Sequence, residues 1–148
     1  MSSHSAAMLM LAATMLAAPA ARAGADSDTL VKFGLVGSWA ADCNAPPSRT
    51  NPYQNFAPSR RGPPIRRLIV GDGINDSTVA LRNLEIVAND QLAFSFDQSG
   101  VTVNIILLKL GARVRPLESA TGDGRVLVSA GIVKRTGETT TWFQQCGR

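Results

Sequence analysis

The chain has 148 residues, 15 Lys and Arg against 11 Asp and Glu, a formal charge of +4 and 45% apolar content. That balance excludes a disordered or fibrous chain, and the length suits one domain. The only histidine is His4 and there are two cysteines, which excludes His-dependent catalysis beyond the first residues and leaves too few ligands for a zinc set.

The amino terminus starts polar at Met1–Ser5, runs apolar from Ala6 to Ala18 and ends in Pro19-Ala20-Ala21-Arg22-Ala23. Ala21 and Ala23 form an Ala-x-Ala cleavage site, and the apolar run is too short to span a bilayer. We therefore expect a signal peptide at residues 1–23, although no Lys or Arg precedes the run. A single β domain is expected over 24–148, acting in the periplasm or secreted. No transmembrane segment is expected, since the most apolar later stretch, Val101–Leu110, has about half the necessary length.

Asp26–Phe33 reads as a short helical turn with Ser27 or Asp28 as its cap. A first strand follows within Gly34–Cys43. Residues 44–64 carry Pro46, Pro47, Pro52, Pro58, Pro63 and Pro64 without periodicity, so a Pro-rich irregular loop is expected there. Ile65–Val70 and Ser77–Ala88 read as strands, the second ending at the turn signal Asn89-Asp90. Leu92, Phe94 and Phe96 alternate with Ala93, Ser95 and Asp97 as a half-buried strand. After Ser99-Gly100, Val101, Val103, Ile105 and Leu107 define one face, while the other begins polar and turns apolar at Ile106 and Leu108. Ala112–Leu117 continues the pattern, and Gly122-Asp123-Gly124 marks a tight turn. Val126–Ile132 reads as one strand with Gly131 permitting a bulge or bend, and Thr139–Cys146 is rich in β-formers.

This spacing predicts an all-β antiparallel meander of about seven to eight strands, with no crossover helices for a parallel sheet. Cys43 and Cys146 allow one disulfide, which in an exported chain is expected over a pair of buried free thiols. Closing a loop of about 100 residues is worth roughly 4–5 kcal/mol in the chain-entropy model. The bond would bring the first and last strands together, which favours a closed or nearly closed barrel over a β-sandwich.

Gly37-Ser38-Trp39 resembles the Gly-x-Trp signature of lipocalin-type barrels and of small secreted barrels that inhibit bacterial metalloproteases. In those families the Trp plugs the closed end. A longer pattern comprises Gly37-x-Trp39-x-x-Asp42-Cys43, Asn51-Pro52-Tyr53, Asp123-Gly124-Arg125 and Gly137-x-x-Thr140-x-Trp142-Phe143-x-x-Cys146. It is similar to small exported proteins of alphaproteobacteria without an assigned activity. The resemblance covers both ends of the chain and implies compartment and disulfide rather than function.

No phosphate-binding glycine loop is present, most carboxylates sit at expected turns, and Asp72–Asp76 lacks the Glu and spacing of a calcium loop. No enzyme activity, cofactor or metal is therefore expected. The conspicuous features are Tyr53 and Phe56 inside the loop and the basic run Arg60, Arg61, Arg66 and Arg67. With Trp39 these are the expected ligand- or partner-binding residues. They point to a lipocalin-like binding module for a small apolar or anionic ligand or a partner protein of the cell envelope, with no nucleic acid. The alternative is a secreted inhibitor of a protease or other hydrolase.

Overall fold

The computed structural model describes residues 19–147. Of the expected signal peptide, residues 1–18 lie outside the described residues, and Pro19–Ala23 form the first turns of helix α1, Pro19–Phe33. The helix is longer than the turn expected from Asp26, and Ser27 and Asp28 lie inside it rather than at its cap. Its end follows from sequence: Gly34 adopts φ +73°, its amide bonds the Val31 carbonyl, and the Leu35 amide bonds the Leu30 carbonyl. This is a Schellman stop, completed by the fully buried pair Leu30 and Leu35.

Eleven short strands follow, more than the seven to eight expected. They are β1 Gly37–Ala40, β2 Tyr53–Ala57, β3 Ile65–Ile69, β4 Ser77–Ala80, β5 Arg82–Ala88, β6 Gln91–Gln98, β7 Val101–Leu110, β8 Arg113–Thr121, β9 Val126–Ser129, β10 Ile132–Val133 and β11 Phe143–Cys146. Nine run in the order β4-β3-β2-β1-β11-β8-β7-β6-β5, all neighbours antiparallel, and β9–β10 branch from β8. The sheet is a nearly closed barrel.

Closure depends on the stretch read as one strand, Ser77–Ala88. Leu81 divides it into the two outermost strands of the order. The Leu81 amide still bonds the Pro64 carbonyl at 2.7 Å on the β3 side, while Arg82 begins pairing with Ser95 of β6. One bent segment thus borders the sheet at both ends. First and last strands are neighbours, with Ser38 opposite Cys146 and Trp39 opposite Gln145. Cys43 and Cys146 are disulfide-bonded with Cα atoms 5.3 Å apart.

Three further expectations are corrected. The 44–64 segment is not irregular throughout, because Tyr53–Ala57 forms β2 between β1 and β3. Pro52 and Pro58 flank that strand, where a missing amide breaks no ladder bond. Val126–Ile132 is not one bent strand: Ala130 (φ +50°) and Gly131 (φ +73°) form a two-residue turn with Ser129 opposite Ile132. Two positive φ values in succession suit the twist of a tight hairpin. The last strand starts at Phe143, and Thr139 makes only an isolated bridge to Ile132.

Alternation places one face of every long strand inward. Phe96 faces Val103, Phe94 faces Ile105 and Leu92 faces Leu107 across β6–β7. These join Trp39, Phe56, Leu81, Leu84, Val114 and Phe143 in one core, which Leu30, Phe33 and Leu35 extend to the helix. The helix is pinned by its polar residues as well. The Ser27 hydroxyl accepts from the Ser59 amide at 3.1 Å and donates to its carbonyl at 3.2 Å.

Candidate functional site

The residues expected to bind a ligand do not converge. Trp39 has no exposed surface, and its indole N–H donates to the Leu35 carbonyl at 2.8 Å. Phe56 is buried edge-on against Phe94, with ring centres 6.4 Å apart. Tyr53 is half-buried, and its hydroxyl meets the carbonyls of Ala45 at 2.8 Å and Cys43 at 3.1 Å, tying down the 44–52 segment. Arg60 and Arg61 are exposed between β2 and β3.

Arg66 and Arg67 leave β3 on opposite faces, the inevitable result of a period of two. Arg67 is exposed. Arg66 points inward with its guanidinium 4.3 Å from the centre of the Phe96 ring. Burial lowers its pKa from the usual guanidinium range to about 10, and its Nε has no hydrogen-bond partner. No carboxylate among the described residues pairs with it.

With Trp39, Phe56, Phe94, Phe96, Leu92 and Leu107 buried, the barrel interior is occupied by side chains. A concavity of about 410 Å³ lies on the outer wall over β6, β7 and β8. Register shows why. Ala93, Ile106 and Glu118 form one row across these strands, and Ser95, Asn104 and Ala120 form the next. Both rows alternate with the inward residues Phe94, Ile105 and Ser119. Phe94, Ile105 and Ser119 also reach the lining, with Asn83 on β5 and Val126 and Val128 on β9.

Three polar side chains of this groove, Asn83, Ser95 and Glu118, are held by neighbours. Asn83, at φ +56°, sits where the β5–β6 register shifts between Arg82 and Glu85. Its amide donates to the Ser95 hydroxyl at 3.0 Å, which in turn donates to the Arg82 carbonyl. Glu118 accepts from the Ala130 amide at 2.7 Å, bracing the β9–β10 turn. The result is an aliphatic floor with two amides, a hydroxyl and a carboxylate. Such a mixture holds small amphiphilic molecules and orients them by a few hydrogen bonds.

The sequence signal for the groove was partial. The outward Ile106 on β7 is apolar where a solvent face should be polar, but nothing local shows that β9 folds beside it. Among the described residues no three metal-ligating side chains gather, and no helix is long and apolar enough to cross a membrane. Compared with protein-family models, curated proteins and solved structures, the chain matches none of them.

Proposed function

We propose that the protein is an exported, non-enzymatic binding module that takes a small amphiphilic ligand on the outer wall of its barrel. The observation that carries this reading is the packed interior beside the mixed apolar and polar groove around Ile106. A barrel filled by side chains has no lumen to offer a ligand. Export to the periplasm or beyond is supported by the Cys43–Cys146 disulfide, a bond that persists in oxidising compartments. Titration of the oxidised protein with a neutral amphiphilic fluorophore such as Nile red tests the site. Binding should saturate and be lost in Ile106→Trp, which fills the groove, while the unfolding temperature stays unchanged. Undiminished binding in that variant rejects the groove.

One observation favours the inhibitor reading as runner-up. Ile74 is 88% exposed on a loop braced by Asp72, which accepts from the Ile74 and Asn75 amides and the Asn75 side chain. A preorganised loop presenting one aliphatic anchor suits insertion into a partner's pocket. Inhibition of an extracytoplasmic protease that vanishes in Ile74→Asp would favour this reading over ligand binding.

A further inference from the structure

Arg66 and Arg67, adjacent in sequence, leave opposite faces of β3, but two other arginines share a face. Arg113 and Arg115 flank the buried Val114 on β8 and so leave the strand on its outer face. Their guanidinium carbons lie 5.1 and 4.7 Å from the centre of the Trp142 ring. Trp142 immediately precedes β11, where Phe143 faces Val114 and Gln144 faces Arg113, and this register sets the indole beside the two arginines. Behind Arg115 lies Gly131, where a Cβ would come within 3.1 Å of the guanidinium carbon. Glycine is needed there twice, for that space and for its φ of +73°.

The cluster has two positive charges and no negative one. Among the described residues neither arginine joins an ion pair, and the Nε of Arg115 is buried without a partner. Glu118, the nearby acid on the same strand, is already bound to the Ala130 amide. Surface arginines under mutual repulsion ordinarily spread into solvent, whereas these are held together by the indole and by Gly131. An oxyanion bridging their free N–H groups would relieve the repulsion and supply acceptors in the fork geometry guanidinium prefers.

We propose that Arg113, Arg115 and Trp142 form a binding site for a phosphate group. The site is separate from the groove and does not depend on it. Leu110 pairs with Arg113 and Leu108 with Arg115 on β7, and Leu110 is 47% exposed. Aliphatic surface therefore borders the site, so phosphate borne on an apolar chain fits it as well as free phosphate does.

The test uses the oxidised full domain and follows the side-chain N–H resonances of Arg113, Arg115 and Trp142 by NMR. One arm titrates inorganic phosphate. The other measures co-sedimentation with phosphatidylglycerol vesicles against phosphatidylcholine vesicles. Saturable shifts of all three side chains with phosphate, or retention on the anionic vesicles alone, supports the site and identifies the phosphate as free or as a headgroup. In either arm Arg113→Gln, at an exposed position, should weaken binding about tenfold or more, and Arg67→Gln should leave it unchanged. Silence in both arms overturns the proposal. So does an equal loss in the Arg67 variant, which would mean diffuse attraction to a basic surface.

Discussion

The carboxylate of Asp26 accepts the backbone amide of Leu84 at 3.0 Å, across 58 residues of sequence. The amide is available because the β5–β6 register shifts between Arg82 and Glu85, with Leu84 inside the irregularity. Asp26 is itself buried, at 7% exposure. A defect in the ladder is thus satisfied by the helix, which couples α1 to the barrel. Replacing Asp26 by Ala should cost about 2–3 kcal/mol, the range for losing a charged partner of a buried donor. Urea unfolding measures it. An unchanged midpoint would mean that α1 is not part of the cooperative unit.

Arg66 should behave in the opposite way. Its guanidinium is held beside Phe96 with a pKa lowered to about 10 by burial and no carboxylate partner. The folded state therefore binds this proton less well than the unfolded chain, and the positive charge costs stability at every pH below about 10. Arg66→Met keeps the long stem and removes the charge. Thermal unfolding at neutral pH should show a gain of roughly 1–2 kcal/mol, as found when buried charges give way to apolar packing. A loss of stability would mean that the contact of the guanidinium with the Phe96 ring outweighs the cost of burying the charge.

Acid should loosen the loop that carries Ile74. Hydrogen bonds from the Asn75 backbone and side chain, then from the Ile74 amide, hold the Asp72 pKa down to about 2, below the usual 3.8, with help from the charge of Arg49. A lowered folded pKa means that the proton binds better to the unfolded state. The contribution is therefore complete above about pH 4 and fades as pH falls towards 2. Amide exchange of Ile74 and Asn75, corrected for intrinsic rates, should speed up over that interval. Asp72→Asn should flatten the change.

Gly131→Ala should destabilise by about 1–2 kcal/mol, combining a left-handed backbone with a side chain pressed on Arg115. It should also shift the Trp142 indole resonance, since Arg115 must move off its ring. A shift without loss of stability would show the turn relaxing freely.

The fold is most legible in the sequence where alternation is unbroken. Leu92, Phe94 and Phe96 announced β6 and its inward face, and Cys43 with Cys146 announced which strands meet. Legibility ends where a partner strand decides the outcome. Tyr53–Ala57 lies among prolines, and only pairing with β1 and β3 makes it a strand. Gly131 suggested a bend, but its neighbour Ala130 gives no local sign of a positive φ. The basic run from Arg60 to Arg67 is one patch only along the chain. Alternation separates Arg66 from Arg67, whereas Arg113 and Arg115, two apart, share a face and meet a tryptophan that is distant in sequence.

Native mass spectrometry of the protein recovered from a periplasm, without reduction, tests the outer-wall reading most directly. The wild type should carry extra mass that leaves on denaturation, and Ile106→Trp should emerge bare, with both chains two mass units below the reduced value on account of their one disulfide. A bare wild type, or extra mass retained by the filled variant, would contradict binding at the groove.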